Sequence, residues 1–540
     1  MFLFPELFPS IFRRFILGLK IVSTNLKIAK AALILIVAST CGHILSLGKE
    51  ILVANYFGIT KVMDAFYAAI TVPNLINSVL LSTFGAVFIP IFIRYKLKDK
   101  SEANHISSVI TNYLFIFFIF ASLFLYIFAP WIIRFGFHGL KPETINLAIK
   151  MLRIVCFTLI LSGLIGIMAG ILNAFEHFAW PAFSQMFITI STILFILFFV
   201  KQLNIFTLIY GLLVGLILQF LFLIPITRGK GYHHYFDFNR KHPAIKEMIS
   251  LGFIFFIAII ASQLNIVVDR IMASYLAPGS IAALGYAGKL VQVPLVIFSS
   301  SIAIVVFPFF SSQVAENKIE ELKDSVTKSI RMSGFIFIPL TVILVILAKP
   351  VIKLLFERGM FDSHATYLTS VILICYSFQF FFYTVGMILG RVFLALQDMI
   401  TLLKITIVGV IMNIILNFVF IKAINPPAAG IALSTSGIYL ITMFLLFAFL
   451  KKKMIYLDEK YILKGLVKIG LSSIIMGLGI FWIFNIFQKF INLGSILGQM
   501  FFLLIVVFIW LAIYIKVSSS LKLSEVSKIK ELIYVKFWKG

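Results

Sequence analysis

KEILVANYFGITKVMDAFYAAITVPNLINSVLLSTFGAVFIP, residues 49–90, sets charged and polar groups inside apolar sequence. The apolar run leading into it, Ala31 to Tyr56, is long enough to cross a bilayer, which takes about 20 helical residues. Lys49 and Glu50 stand near its end. A charged side chain at membrane depth costs several kcal/mol unless it is paired or faces water, so such residues line a cavity or pathway. The plainer alternative is that Lys49 snorkels to a headgroup with Glu50 as its partner. Asp64 opens a second apolar run that carries Pro73, Asn74, Asn77, Ser78, Ser82 and Gly85 before Pro90. A proline within a span frees a carbonyl, whose hydrogen bond must be taken over by polar side chains or cavity water. The stretch suits the handling of something polar inside a membrane.

The rest of the chain fits that setting. Of its 540 residues 61% are hydrophobic and 12% charged, with a mean hydropathy of +1.09, which excludes a soluble globule and indicates a polytopic membrane protein. The net charge of +25 is interrupted by apolar spans, which points to anionic lipid headgroups and away from nucleic acid. Cys41, Cys156 and Cys375 all fall in apolar spans and imply no disulfide framework.

Fourteen spans are predicted, at roughly 31–54, 65–92, 108–133, 146–174, 182–200, 205–226, 248–276, 284–310, 332–357, 366–392, 402–423, 427–450, 464–488 and 495–516. Residues 1–30, with Arg13, Arg14, Lys20, Lys27 and Lys30, read as an interfacial basic segment. Lys and Arg concentrate there, in the loops after spans 2, 6, 8 and 12, and in the tail 517–540, which places both termini and those loops in the cytoplasm. Ser311–Gly334 reads as an amphipathic surface helix with a basic face. His233, His234 and His242 crowd the loop 227–247, but without cysteines or spaced carboxylates they read as solvated loop, not a metal site. No loop is long enough to fold as a catalytic domain, so any activity must be built from the helices; no enzyme is expected.

The chain echoes itself about 220 residues on. Tyr286-Ala287-Gly288 follows Tyr67-Ala68-Ala69, Pro294 and Pro308 follow Pro73 and Pro90, and Gly386 and Gly390 follow Gly166 and Gly170. Related halves with interrupted helices in corresponding places point to a transporter whose site lies between them. The halves are 31–226 and 248–450, with two further spans in 451–516. Span 7 carries Asp269 and Arg270, which point about 100° apart on a helix. Span 11 carries Asn413 and Asn417 one turn apart, and span 12 carries Ser434, Thr435 and Ser436. One carboxylate with several neutral oxygens suits a small hard cation such as Na⁺; hydrogen bonds stitching three helices together would use the same residues. Lys49 and Lys289, facing one vestibule from opposite halves, would favour a phosphorylated ligand.

KEILVANYFGITKVMDAF, VPNL and VFIP, with SQLNIVVD, GYAGKLVQVP, FERGMFD (Phe356–Asp362) and LALQDMIT (Leu394–Thr401), give a whole-length resemblance to the MurJ/MviN lipid II flippases of the MOP exporter superfamily. The resemblance implies an all-α polytopic membrane protein of two pseudo-symmetric six-helix lobes, MOP/MATE-like, plus two C-terminal helices, in the bacterial cytoplasmic membrane. The implied cargo is a polyprenyl-diphosphate glycolipid, the undecaprenyl-linked disaccharide pentapeptide of peptidoglycan, with cell-wall synthesis proteins as partners. Lys49 and Glu50 stand at the family's Arg-Asp pair, Asp64 at its acidic residue and Lys289 at a cavity arginine. His43 stands where the family usually has Arg, and Asn77-Ser78 replaces a basic pair; these six positions, His43, Lys49, Glu50, Asp64, Asn77 and Lys289, are the expected substrate-binding residues. Asp269, Asn413, Asn417 and Thr435 match positions like the sodium site of some members, with Asn417 in place of a carboxylate. Arg grips a diphosphate bidentately and Lys does not, so the phosphate grip is weaker here or differently built. A flippase for another polyprenyl-linked glycan, of O-antigen or capsule type, and a non-transporting scaffold stay open as alternatives.

Overall fold

The computed structural model describes residues 25–239, 242–453, 455–490 and 496–527, and among them every regular element is a helix. The first half comprises α1 (Asn25–Phe57), α2 (Lys61–Lys96), α3 (Lys100–Gly136), α4 (Pro142–Val155), α5 (Thr158–Ala174), α6 (Ala179–Ser184), α7 (Met186–Leu203) and α8 (Phe206–Gly229). The second comprises α9 (Pro243–Ala273), α10 (Ser280–Pro294), α11 (Ser300–Ala315), α12 (Ile319–Phe356), α13 (Ser363–Ser377), α14 (Gln379–Ala395), α15 (Met399–Ala423) and α16 (Pro427–Lys452). α17 (Glu459–Phe490) and α18 (Ile496–Ser520) follow.

Among the described residues twelve helical stretches are long and apolar enough to cross a membrane. The expected spans 31–54 and 248–276 fall on α1 and α9, which are not among the twelve, so the count of fourteen is not reached. The interfacial segment lies outside the described residues up to 24, as do residues 528–540 of the tail.

Interruptions fall in matching places in spans 4 and 10, though not at the positions the sequence echo marks. Span 4 breaks between α4 and α5 at Cys156-Phe157, and span 10 breaks between α13 and α14 at Phe378. Span 8 breaks after Pro294 into a π-helical turn, Leu295–Ser299, of a kind that concentrates at functional sites. Its counterpart α2 runs through Pro73 and Pro90 without leaving the helix, so the echo between the halves is not symmetric.

Two loops differ from expectation. Ser311–Gly334 is no separate surface helix: α11 ends at Ala315, a turn at Glu316–Lys318 reverses the chain, and α12 runs unbroken from Ile319 into the membrane span. Its apolar side is buried, with Leu322, Val326 and Ile330 in the core, so it continues the bundle. The linker after α8 is docked and not free. Asn104 Nδ2 donates to Gly231 O (3.0 Å) and Asn112 Nδ2 to Tyr235 O (3.1 Å) and Asp237 O (2.8 Å), residues spaced along one face of α3.

Apolar packing is distributed unevenly along the bundle. At the end where α1 turns into α2, one core joins both halves, running from Val53, Phe57 and Tyr67 to Tyr286, Phe356 and Phe361. At the opposite end the apolar packing is split into two cores, one around Phe88 and Phe92 in the first half, which also takes in Ala244 and Met248 at the start of α9, and one around Phe310 and Phe393 in the second. α17 and α18 rest on α12, where the buried Arg331 donates from Nε and Nη2 to the Glu525 carboxylate (2.7 and 3.0 Å).

Candidate functional site

Charged side chains converge between the halves. On α1, Lys49 Nζ lies 3.0 Å from Glu50 Oε1, with Glu50 buried and Lys49 half-buried. Lys289 of α10 is exposed to the space between the lobes, within electrostatic reach of Glu50, Lys49 and Arg270, and His43 lies within reach of Lys289. Against Lys49, Lys289 and Arg270 stand Glu50 and, beside Arg270, Asp269, so the centre stays net positive. Arg270 was named in the sequence only as the neighbour of Asp269. The helical turn between them gives each its own partner: Arg270 Nη1 donates to Thr71 Oγ1 (3.0 Å) and Tyr67 O (3.3 Å) on α2, and its guanidinium lies 5.4 Å from the Tyr67 ring. Asn77, farther along α2, is half-buried with its Oδ1 unpartnered, and no contact among the described residues draws it to the cations.

Asp64 does not face this space. Its carboxylate is 2% exposed and accepts hydrogen bonds from the backbone N–H of Gly279 and of Ala282 (2.9 Å), so it caps the N-terminus of α10 from the opposite half. In this structure Asp64 is therefore an inter-lobe cap, its carboxylate turned to the backbone of α10 and not to the cationic centre. Around it the turns after α1, α9 and α12 interlock. Met360 N donates to Asn55 O (2.9 Å) and Tyr286 Oη to Gly58 O (3.2 Å). Gly58 (φ +53°), Gly279 (φ +92°) and Gly359 (φ +57°) sit in the left-handed region, and a Cβ on any of them would come within 2.2 Å of a backbone oxygen across the seam. Only glycine permits this main-chain contact.

The second cluster assembles as the spacing suggested. Asn417 Nδ2 donates to Asp269 Oδ1 (2.8 Å) and Asn413 Oδ1 (3.2 Å), and Thr435 Oγ1 donates to Asp269 Oδ2 (2.9 Å). The amide nitrogen thus takes the position between two oxygens that a cation would bridge. With Asn417 presenting its amide nitrogen at that point, the donor set does not fit Na⁺ as it stands, and Asn417 Oδ1 and Asn413 Nδ2 are left buried without a partner. No group of three or more His, Cys, Asp or Glu side chains lies together among the described residues, and His242 pairs with Glu102 (3.2 Å) instead of with the other loop histidines.

Comparison with known proteins places this arrangement. Residues 53–502 match the family described as lipid II flippase MurJ. A probable lipid II flippase MurJ of Buchnera aphidicola is 27% identical over 458 residues, covering 84% of this chain and 89% of its own. The lipid II flippase MurJ of Burkholderia cenocepacia is 26% identical, covering 81% and 86%. A solved lipid II flippase MurJ in an inward closed conformation superposes with a TM-score of 0.76 at 27% identity over 90% of this chain and 98% of that one. An inward-facing multidrug transporter of the MATE family and MOP superfamily shares the fold, with a TM-score of 0.66 at 15% identity over 76% and 94%. With the match spanning most of its length, the chain belongs to the family of lipid II flippases described as MurJ.

Proposed function

We infer that the chain translocates lipid II, an undecaprenyl-diphosphate-linked peptidoglycan precursor, across the bacterial cytoplasmic membrane by alternating access. The observation that carries this is the net-positive centre of Lys49, Lys289 and Arg270, set between lobes that share one core at one end and split into two cores at the other. A diphosphate is the group such a centre neutralises inside a low-dielectric vestibule. The cationic loops of the sequence assign the divided end and both termini to the cytoplasm, where anionic lipids meet them. The headgroup enters there, Lys49 and Lys289 take the diphosphate, and the polyprenyl tail stays in lipid along α17 and α18. The lobes then part at the other end, releasing Asp64 from the start of α10. No step runs through a bound cation.

Lys49→Ala with Lys289→Ala removes two of the three cations and leaves Glu50 without its neutralising partner. In bacteria depleted of their own lipid II flippase, the wild-type chain should restore survival and external exposure of the precursor, and the double variant should restore neither while still inserting. Full rescue by the double variant would overturn the assignment of the centre. No rescue by well-expressed wild type would overturn lipid II as the cargo.

A further inference from the structure

We propose that a cavity inside the first lobe seats the uncharged glycan of the headgroup, apart from the cationic centre that takes its diphosphate; this rests on the flippase function inferred above. The cavity measures 750 Å³ and lies among α1, α2 and α5 to α8. That volume falls within the range of small-molecule sites, about 300–1,000 Å³. None of its lining residues is Lys, Arg, Asp or Glu; Ser46, Ser162, Asn173, Gln185, Thr189 and Gln219 supply neutral donors and acceptors. Hydroxyl and acetamido groups are matched by such a surface, whereas an ionised peptide carboxylate finds no Lys or Arg partner there.

Two observations point to a ligand and not a mere packing gap. Gln219 is 3% exposed, donates from Nε2 to Ser184 Oγ (3.0 Å), and leaves its Oε1 without a partner. A buried acceptor left unpaired is costly, and a turn of the Gln219 side chain, which lines the cavity, would present it to a sugar hydroxyl or amide N–H. His43 lines the cavity and is also within electrostatic reach of Lys289, so cavity and cationic centre adjoin. A diphosphate held at the lysines therefore sets the sugar linked to it at the cavity mouth. Glycines keep the space open: a Cβ built on Gly42 or Gly85 meets nothing within 4 Å. Side chains at those positions start in open space beside the cavity.

The test compares binding of lipid II and of sugar-free undecaprenyl diphosphate by the full chain in lipid nanodiscs. Wild type should prefer lipid II by roughly tenfold or more, the equivalent of one or two satisfied hydrogen bonds. Gly42→Leu with Gly85→Leu should bring the ratio to about one while undecaprenyl diphosphate still binds, and Gln219→Ala should lower the ratio part of the way. An unchanged ratio in the filled variant, or an equal loss of both lipids with an unchanged melting temperature, would overturn the glycan seat. Wild type that binds neither lipid would overturn the flippase function instead. The seat is then read directly with a soluble N-acetylated disaccharide at millimolar concentration, which should raise the melting temperature of wild type but not of the filled variant; no rise in wild type overturns it.

Discussion

The two ends of the bundle are held by different kinds of contact. At the α1–α2 turn, main chain meets main chain across the lobes: Asn55 O on Met360 N at 2.9 Å, Asp64 on the start of α10, and three glycines at the seam. At the other end the packing is split into two cores, the start of α9 reaching into the first through Ala244, and the ion pair joining α2 to α9, Arg94 with Glu247 at 2.7 Å, is solvent-exposed. Exposed pairs contribute about 0–1 kcal/mol, whereas buried backbone donors deprived of partners cost about 1–3 kcal/mol each. The difference shows where the barrier to alternation lies. Opening the divided end breaks an exposed ion pair and the packing of Ala244 and Met248 against the first core, while opening the sealed end requires buried backbone groups to find new partners.

The largest effect should come from fixing the sealed end. In a background lacking Cys41, Cys156 and Cys375, Asn55→Cys with Met360→Cys places two thiols where the backbones already touch. Oxidation should abolish precursor exposure completely, and reduction should restore it. Undiminished transport by the fully oxidised protein would mean that this end never opens. Asp64→Ala attacks the same seal more gently. It strips the N–H groups of Gly279 and Ala282 of their acceptor, so the sealed state should lose about 2 kcal/mol, a shift of about thirtyfold toward opening. Hydrogen exchange at residues 279–282 should accelerate accordingly; unchanged protection would show that the cap is dispensable.

How far this contrast is legible in the sequence depends on what carries the signal. Lys49, Glu50 and Lys289 stand out because a charge in an apolar run is costly enough to need a reason. Asn413 and Asn417 stand out by helical spacing and Asp269 by its charge in an apolar span, the resemblance groups them with Thr435, and the four do meet. Asp64 is ambiguous by nature. A carboxylate near the start of a span looks the same whether it faces a cavity or caps a helix 215 residues away, because its partners are backbone N–H groups without a side-chain signature. Arg270 hides behind Asp269, since adjacency in the chain conceals that they serve opposite neighbours. The first-lobe cavity is shaped by the absence of side chains at Gly42 and Gly85, and no motif announces a void.

Closer to the sealed end, the Asp269 cluster offers a smaller and sharper effect. Because Asn417 Nδ2 occupies the centre of the donor set, replacing Na⁺ with choline should leave the melting temperature of wild type unchanged. Asn417→Asp converts the central donor to acceptors and adds a charge, so that variant should be selectively stabilised by Na⁺, by roughly 1–3 kcal/mol well above its dissociation constant. Specific stabilisation of wild type by Na⁺ would show that the amide yields its place to the ion.

The smallest effect belongs to the divided end, where contacts are wet. Asp398 caps α15, accepting from Thr401 N (3.1 Å) and Oγ1 (2.7 Å), and pairs with Lys453 at 2.7 Å at the end of α16. The Lys453 ammonium, with the Thr401 bonds, holds the Asp398 carboxyl down to about 2. Its folded value lies below the unfolded value of about 4, so its contribution is complete above pH 4 and is lost as the pH falls from there through 2. Lys453 is 38% exposed, so solvent screens the pair, and Asp398→Ala should cost only about 1 kcal/mol, most of it the lost cap. The melting-temperature gap between wild type and variant should therefore be constant from pH 7 to 5 and close toward pH 2. A gap that narrows already between pH 7 and 5 would mean that a different group titrates, and that this end too depends on a buried charge.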